Sequence, residues 1–149
     1  MSQKQWSKSD IKSFIEHYPY VSSFLDKKSS VFEKDGLLFI QKKPFFFSKD
    51  AKWFPTLHLL LDRPNLLPSV TVDKGAIRFV VNGADIMRPG ITAAQSAQKG
   101  DVVVIVDETL GKPIAVGELL VSSEELLASD SGKVVKNLHR IGDEIWSSV

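Results

Sequence analysis

The residues of this sequence that are best suited to a chemical role are three cations near its middle. Lys74 and Arg78 are four residues apart, so they would share one face of a helix, and Arg88 follows further along the chain. Lysine and arginine can neutralise phosphate groups, and arginine can bind one through two hydrogen bonds. The alternative is an ordinary solvated surface, or an Arg88 that is paired with Asp85 or Asp73. A phosphate-binding patch is therefore a hypothesis, and it requires a fold that places these three side chains on one surface.

A second group of cations lies among aromatic residues in the first half of the chain. It consists of four lysines around a phenylalanine run and a tryptophan: Lys42, Lys43, Lys49 and Lys52, with Phe45-Phe46-Phe47 and Trp53. Basic and aromatic residues together can hold a nucleic-acid backbone and stack unpaired bases. Phenylalanine runs on short strands more often serve packing, so we expect core aromatics and lysines that keep a strand edge soluble. Lys27 and Lys28 are interpreted in the same way, and a docking face for a ribosome or a protein partner is the alternative.

Other kinds of functional site lack the residues that they require. The chain has no cysteine, which excludes disulfides, thiol nucleophiles and cysteine-ligated zinc or iron–sulfur clusters. Its three histidines, His17, His58 and His139, are too far apart along the chain to form a local metal pair. Gly111-Lys112 lacks the upstream glycine and the following hydroxyl residue of a phosphate-binding loop. No residue set supports a specific reaction, so we expect a protein that is not an enzyme and has no cofactor or metal.

The histidines and the C-terminal residues carry further expectations. We expect His17 and His58 at the surface or at a boundary, because histidine is intermediate in its preference for burial. His139 could extend the cationic patch together with Arg140. Asp143 and Trp146 are expected to be structural, and Trp146 is expected to fix the last strand to the core.

The composition describes a globular protein without a membrane segment. At 149 residues and 43% hydrophobic content, the chain can build one domain or two small ones around a core. Charged residues make up 25% and the net charge is +1, which excludes a histone-like polycation and a disordered acidic tail. The longest apolar run has five residues, 102–106, whereas a membrane span needs ~20, and residues 1–6 do not resemble a signal peptide. We expect a cytoplasmic protein with no membrane partner.

The two halves of the chain differ in charge and in residue type. Residues 1–69 contain 11 basic and 7 acidic side chains, a net charge of +4, whereas residues 70–149 contain 8 and 11, a net charge of −3. Eight of the nine phenylalanines lie in the first half, and eight of the nine glycines and 13 of the 15 valines lie in the second. Two prolines within residues 63–68 would stiffen a short connection there. We therefore expect two packed domains, residues 1–68 and residues 69–149.

Periodicity and turn signals predict helices and then strands in the first half. Ser7 and Asp10 fit a helix start, and apolar residues from Ile11 to Tyr18 fall on one helical face before Pro19. Asp35-Gly36 favours a tight hairpin turn. We expect a short helix near residues 21–25, strands at 31–34, 37–41 and 45–48, and a helix with Pro55 in its first turn and Leu57, Leu60 and Leu61 on its apolar side.

The second half has the pattern of a small barrel. Short valine-rich segments alternate with glycine turns, and little helix is indicated. One helix is expected over residues 74–81, with Ile77, Val80 and Val81 facing inward and Asn82-Gly83 ending it. We expect strands at 69–72, 101–106 and 113–121, a turn at 110–112, a helix start at 122, and closing apolar residues at 134–135 and 145–146. The predicted fold class is α+β, with a small α/β module packed on a β pseudo-barrel.

Five segments of the second half resemble, in order, those of the PUA domain, the RNA-binding module named after pseudouridine synthases and archaeosine transglycosylases. They are residues 72–91, VDKGAIRFVVNGADIMRPGI, and then 99–104, 113–117, 132–135 and 143–146. The match covers residues 69–148. The resemblance implies a five- or six-stranded pseudo-barrel. It also implies that the helix and the second strand, here about residues 74–91, face the RNA.

The first half resembles the pre-PUA domain that precedes a PUA domain in one family of proteins. The resemblance rests on Phe54-Pro55, His58, Pro64 and Leu67-Pro68, followed by the PUA segments. That family includes the partner of the density-regulated protein in eukaryotic translation, the N-terminal part of ligatin-type initiation factors, and stand-alone archaeal members. It implies binding to structured RNA such as tRNA or small-subunit ribosomal RNA, and contact with the small ribosomal subunit or a translation-factor partner. Residues 1–69 are too few for a synthase or transglycosylase domain.

The resemblance selects a set of RNA-binding residues, and we expect these to be Lys74, Gly75, Ala76, Arg78, Asn82, Gly83, Arg88, Pro89 and Gly90. The three glycines can serve turn geometry, since glycine permits positive φ, and can also let an RNA backbone approach closely. Because the second half is net acidic, binding must come from a local patch. The predicted function is a non-catalytic RNA-binding protein of translation. A protein-interaction adaptor, or an RNA-binding accessory subunit of an RNA-modifying enzyme such as a tRNA transglycosylase, is the alternative.

Overall fold

Two β-sheets, one in each half of the chain, form the framework of the protein. The computed structural model describes residues 3–148. The first sheet is antiparallel, and its five strands follow one another in chain order: β1 (Lys4–Gln5), β2 (Val31–Lys34), β3 (Leu37–Ile40), β4 (Lys43–Lys49) and β5 (Lys52–Pro55). Helix α1 (Lys8–His17), a 3-10 turn (Pro19–Ser23) and helix α2 (Leu57–Asp62) complete this half.

Helix α1 starts as the sequence predicts. The Ser7 hydroxyl accepts a hydrogen bond from the Asp10 N–H at 3.1 Å, and the Asp10 carboxylate accepts one from the Ser7 N–H at 3.0 Å. This reciprocal capping satisfies two backbone donors that a helix start leaves without partners. Ile11 and Phe14 are buried in the core of the first half, where Phe46 meets the Phe14 ring edge-on at 5.1 Å between ring centroids.

The strands of the first half begin with the predicted hairpin. Asp35 and Gly36 connect β2 to β3 with φ angles of 53° and 78°, the left-handed conformation that such tight turns require. Phe45, Phe46 and Phe47 lie in β4 and are all buried. The expectation that the phenylalanine run serves packing is therefore confirmed.

The second sheet has six strands and forms a nearly closed barrel. Its strand order is β7 (Ile86–Met87), β11 (Lys133–Arg140), β10 (Pro113–Leu119), β9 (Val102–Asp107), β6 (Ser69–Val72) and β8 (Ile91–Ala94). Only the pairing of β6 with β9 is parallel among the described strands. Helices α3 (Lys74–Val80), α4 (Ser123–Ala128) and α5 (Glu144–Ser147) connect or follow these strands. The predicted α+β class and the pseudo-barrel are confirmed.

Several predicted boundaries differ from the structure. Pro55 is the last residue of β5, and Thr56 caps α2 by accepting a hydrogen bond from the Leu59 N–H at 3.3 Å. Pro55 therefore precedes the helix and does not lie in its first turn. The short helix expected near residues 21–25 is a 3-10 turn that begins at Pro19. Strands β1, β5 and β8 were not expected, because two to four residues carry too little periodicity to be recognised. The strand expected before Pro89 is β7, which ends at Met87, so Arg88 lies in the 3-10 turn that follows.

Trp146 packs on a buried cluster to which both halves of the chain contribute. It lies in α5, and its ring stacks on His58 of α2 with 4.6 Å between centroids and a 5° interplanar angle. Asp143 caps this helix by accepting a hydrogen bond from the Trp146 N–H at 2.8 Å. The expected structural role of both residues holds, but Trp146 joins the two halves.

The two sheets share buried contacts through α2. Leu57 and Leu60 of this helix are fully buried with Val104 and Val116 of the barrel. His139 of β11 is also buried there, with 1% of its surface exposed. The expectation that His139 extends a cationic surface is therefore wrong, because its side chain points into the contact between the halves.

The division into residues 1–68 and 69–149 remains our proposal. The last strand of the first sheet, β5, and helix α2 both end before residue 63. The first strand of the second sheet, β6, starts at Ser69. No helix within residues 3–148 combines the length and apolar character needed to cross a membrane.

Candidate nucleic-acid interface

Helix α3 is short, and a side-chain cap fixes its start. Asp73 lies just before the helix, and its carboxylate accepts a hydrogen bond from the Ala76 N–H at 2.8 Å. Ile77 and Val80 face inward and pack on the core of the barrel. The cap and the apolar contacts together give a helix of only seven residues a defined orientation.

The outer face of α3 carries the two predicted cations. Lys74 and Arg78 are exposed, and so is Gly75, which follows Lys74 in the chain. The Arg78 guanidinium carbon lies 4.7 Å from the centroid of the Phe79 ring, so a planar cation and an aromatic ring stand side by side on the surface. The Lys74 N–H donates to the carboxylate of Glu108 at 3.3 Å, which places one negative charge at the start of the helix.

A cleft of about 490 Å³ opens between α3 and the segment that contains β7 and the turn Arg88–Gly90. Phe79 and Met87 are the large apolar side chains at this cleft, 54% and 49% exposed. An exposed ring beside exposed cations can stack on an unpaired base while the cations hold its phosphates. Four predicted site residues also line the cleft: Gly75, Ala76, Pro89 and Gly90.

Phe79 and Met87 were missed in the sequence, although a signal for Phe79 was present. It is the one phenylalanine of the second half. With Ile77 and Val80 facing inward, the helical period places Phe79 on the polar side of α3, close to Arg78. An aromatic residue on the polar side of a basic helix is unusual and could have been identified. Met87 lies on a strand of two residues, for which no periodicity exists.

The three glycines of the predicted site have different structural roles. Gly83 has a φ of 94°, so it adopts the left-handed conformation at the end of α3, next to the exposed Asn82. A side chain at Gly90 would place its Cβ 3.0 Å from the Cβ of Ala76, so this glycine lets the turn pack closely on the helix. Gly75 has neither restraint, and a Cβ there meets only an Asp73 carboxylate oxygen at 3.5 Å. The turn-geometry explanation therefore applies to Gly83 but not to the other two.

Arg88 is bound into the fold by two backbone carbonyls. Its Nε donates to the Ser129 carbonyl at 2.9 Å, and one terminal nitrogen donates to the Ile91 carbonyl at 3.0 Å. The alternative that it pairs with Asp85 or Asp73 is wrong. These bonds link the turn at Arg88 to α4 and β8. Binding of an RNA phosphate by Arg88 stays a prediction, and it would use the guanidinium N–H groups that form neither of these two bonds.

Two further cations border the predicted surface. Lys133 lies opposite Met87 in the pairing of β11 with β7, and its Nζ is 3.1 Å from an Asp85 carboxylate oxygen. The Arg140 side chain lies beside Gly83, since a Cβ there would come within 2.9 Å of its Nε. Partial burial alone would raise the pKa of Asp85, but hydrogen bonds from the Asn137 N–H and from Lys133 hold it below its ordinary value. Asp85 therefore stays ionised and partly neutralises Lys133.

Asn137 holds the segment that follows α3, and no sequence pattern indicated it. Its side-chain amide donates to the carbonyls of Val80 and Ala84, each at 3.0 Å, and its own N–H donates to Asp85 at 2.8 Å. These three bonds fix the residues between α3 and β7. The cleft is therefore bounded by two rigid elements.

The exposed cations of α3 and the exposed ring beside Arg78 are suited to an anionic, partly unstacked polymer. Within residues 3–148, no group of three histidine, aspartate or glutamate side chains is placed to hold a metal ion. The lining of the cleft includes an aromatic ring, a thioether and the carboxylates of Asp73 and Asp85, whereas Lys74 and Arg78 lie outside this lining on the outer face of α3.

Comparison with known proteins identifies the family of this chain. The PUA domain model matches residues 68–141. The chain is 41% identical over 145 residues to an uncharacterised protein of Methanocaldococcus jannaschii, covering 94% of this chain and 88% of that protein. It is 33% identical to translation machinery-associated protein 20 of Saccharomyces cerevisiae, covering 89% of this chain and 82% of that one. The crystal structure of a hypothetical protein of Pyrococcus horikoshii superposes with a TM-score of 0.85 at 31% identity, over 97% of this chain and 98% of that one.

These matches define the class of protein. The chain belongs to the family of PUA-domain proteins that includes the archaeal and yeast relatives just named. The resemblance recognised in the sequence is therefore confirmed.

Proposed function

We propose that this protein is a non-catalytic RNA-binding protein of the cytoplasmic translation apparatus. Its ligand is structured RNA, tRNA or small-subunit ribosomal RNA, and the contact surface is the outer face of α3 with the adjoining cleft. The observation that carries the proposal is the exposure of Lys74 and Arg78 on α3 of a PUA domain, with Arg78 beside the exposed Phe79, whose ring lines the cleft. The relative named for its association with the translation machinery supports the cellular setting.

Local charge, and not net charge, has to drive this binding. Residues 70–149 have a net charge of −3, so bulk attraction would oppose RNA. Lys74 and Arg78 neutralise phosphates that pass along α3, and the guanidinium can grip one with two N–H groups. Phe79 and Met87 offer an apolar surface to a base that has left its stack. Gly75, one helical turn before Phe79 in the lining of the cleft, leaves room for the sugar–phosphate backbone.

Salt-dependent binding tests the proposal. The full chain is titrated against labelled bulk tRNA and labelled small-subunit ribosomal RNA, and fluorescence anisotropy is measured at several salt concentrations. Two or three phosphate contacts at this surface alone contribute about −2 to −3 to the slope of log K against log salt, so the wild-type slope should be at least that steep. Absence of binding to both RNAs at low salt would contradict the proposal. Recovery of one protein partner that survives nuclease treatment, together with that absence, would favour the adaptor function instead.

A further inference from the structure

Four exposed lysines and an arginine lie at one end of the first sheet. Val31 at the start of β2 pairs with Ile40 at the end of β3, and Ile40 pairs with Lys43 at the start of β4. The turn before β2 and the turn between β3 and β4 are therefore neighbours, joined by a hydrogen bond of 2.9 Å from the Gln41 N–H to the Ser30 carbonyl. We call this the sheet-end basic surface, and it comprises Lys27, Lys28, Lys42, Lys43 and Arg63.

Aromatic rings connect Arg63 to the lysines. The Lys43 Nζ lies 5.9 Å from the centroid of Phe45, and the Phe45 and Phe24 rings meet edge-on at 6.1 Å. The Arg63 guanidinium carbon lies 4.9 Å from the centroid of Phe24, which is half-buried. The cations thus lie along one continuous strip, although Arg63 follows α2 and Lys43 begins β4.

Few carboxylates balance this charge. Among residues 3–148, none of the four lysines forms an ion pair. Asp26 is close in sequence, but its carboxylate already accepts a hydrogen bond from the Lys28 N–H at 2.8 Å. Asp62 approaches the Arg63 Nε at 4.0 Å. Five cations against two carboxylates leave a local excess of positive charge.

The turn between β3 and β4 presents its lysine in a fixed direction. Gln41 and Lys42 have φ angles of 51° and 68°, so both non-glycine residues are in the left-handed conformation. The flanking β-pairs and the hydrogen bond to Ser30 hold this turn. The backbone that carries Lys42 is therefore held by strand pairing and by this hydrogen bond.

The four lysines around the phenylalanine run lie in two groups, one at each end of β4. Lys49 and Lys52 pair with each other next to the β4–β5 turn, at the opposite end of β4 from Lys43. The sequence alone grouped all four lysines around the phenylalanine run. In the structure, only Lys42 and Lys43 join Lys27 and Lys28.

We propose that the sheet-end basic surface is a second RNA-binding surface, which holds the phosphate backbone of the same RNA outside the PUA cleft. That the ligand of this surface is RNA rests on the proposed function. Most of the molecule's positive charge lies in residues 1–69, at +4, whereas residues 70–149 carry −3. An RNA larger than the cleft is therefore attracted towards the first half and repelled by much of the second. A lipid surface fits less well, because Phe24, the ring between Phe45 and Arg63, is half-buried against the core of the first half.

Charge reversal in the full chain tests this surface. The test variant carries Lys27→Glu, Lys28→Glu and Lys42→Glu. The matched control carries Lys8→Glu, Lys12→Glu and Lys52→Glu, which changes the net charge by the same amount at exposed residues outside this surface. Both are titrated with bulk tRNA, small-subunit ribosomal RNA and vesicles of phosphatidylglycerol, and urea unfolding confirms that each variant is folded.

The expected result is that the test variant binds RNA at least tenfold more weakly than the control. Its salt slope also becomes shallower by about 3, one for each lost phosphate contact. Equal RNA affinity of the test variant, the control and the wild-type chain would overturn the inference and leave the proposed function standing. A loss confined to vesicle binding would overturn it in favour of a lipid surface. Failure of the wild-type chain to bind either RNA would overturn the proposed function and this inference together.

Discussion

Leu57 and His139 are 82 residues apart in sequence and are joined by a hydrogen bond of 3.0 Å from the Leu57 N–H to His139 Nε2. Because Nε2 accepts this bond, the imidazole is neutral and carries its proton on Nδ1. That Nδ1–H donates to an Asp143 carboxylate oxygen at 2.7 Å. The start of α2 in the first half is thereby fixed to β11 of the barrel, and the ring is fixed by the residue that caps α5.

Removal of the His139 side chain should weaken the whole fold. His139→Ala leaves the buried Leu57 N–H without an acceptor and leaves a cavity between the halves, so we expect the free energy of unfolding to fall by about 2–4 kcal/mol. Urea unfolding measures this change. Lys136→Ala, at an exposed position of the same strand, is the control and should change stability by less than about 0.5 kcal/mol. Equal stability of the two variants would show that the hydrogen bond is dispensable.

The neutral His139 should make stability depend on pH. Burial lowers its pKa below the ordinary value of 6.5, and the Asp143 carboxylate only partly opposes this effect. Since the folded-state pKa lies below the unfolded one, the contribution is fully present above pH 6.5 and is lost as the pH falls towards the folded-state value. We expect a loss of at most about 1.4 kcal/mol per pH unit in this window.

Urea unfolding at a series of pH values checks this dependence, with His139→Gln as the comparison. The glutamine variant should show a flatter profile just below pH 6.5, because it has no group to titrate there. Asp143 cannot account for the same window. Burial raises its pKa, but hydrogen bonds from the Trp146 and Arg140 N–H groups hold it below the ordinary value of 3.8. Parallel profiles for wild type and variant would rule out His139 as the cause.

Two glycines of the predicted site should respond in opposite directions to alanine. Gly83→Ala places a side chain at a φ of 94° and against Arg140, so we expect a loss of about 1–2 kcal/mol in unfolding free energy. Gly75→Ala adds a helix-favouring residue in open space and should gain about 0.5 kcal/mol. If RNA backbone passes over Gly75, the same variant binds RNA several-fold more weakly in spite of its higher stability. Unchanged RNA affinity would assign Gly75 no role in binding.

Phe79 should contribute to RNA affinity and little to stability. Its ring is 54% exposed, so Phe79→Ala removes few core contacts. Loss of one stacked base predicts a decrease of about 1–3 kcal/mol in binding free energy. Anisotropy titrations with single-stranded and duplex RNA measure the effect, which should be larger for the single strand. Leu61→Ala, at another exposed apolar residue, is the control and should bind like the wild type.

The sequence predicted those features that depend on neighbouring residues. Ser7 and Asp10 gave the start of α1, Asp35-Gly36 gave the β2–β3 turn, and the spacing of Lys74 and Arg78 gave their common exposed face. All of these follow from short-range geometry. The order of the segments then identified the barrel.

Features that depend on distant residues could not be predicted. The burial of His139 follows from a contact with Leu57, and the carbonyl partners of Arg88 include one on Ser129. Neither contact produces a periodic pattern in the sequence. The division of the lysines between two ends of the first sheet likewise follows from strand pairing, which local patterns do not encode.

The central claim is that the outer face of α3 binds RNA, and the affinity of Lys74→Glu/Arg78→Glu for labelled tRNA and small-subunit ribosomal RNA tests it most directly. Arg88 is left unchanged because its carbonyl contacts support the fold. We expect at least a tenfold loss of affinity, a salt slope shallower by about 2, and an unchanged urea midpoint. An intact, folded double variant that binds both RNAs as tightly as the wild-type chain would contradict the account.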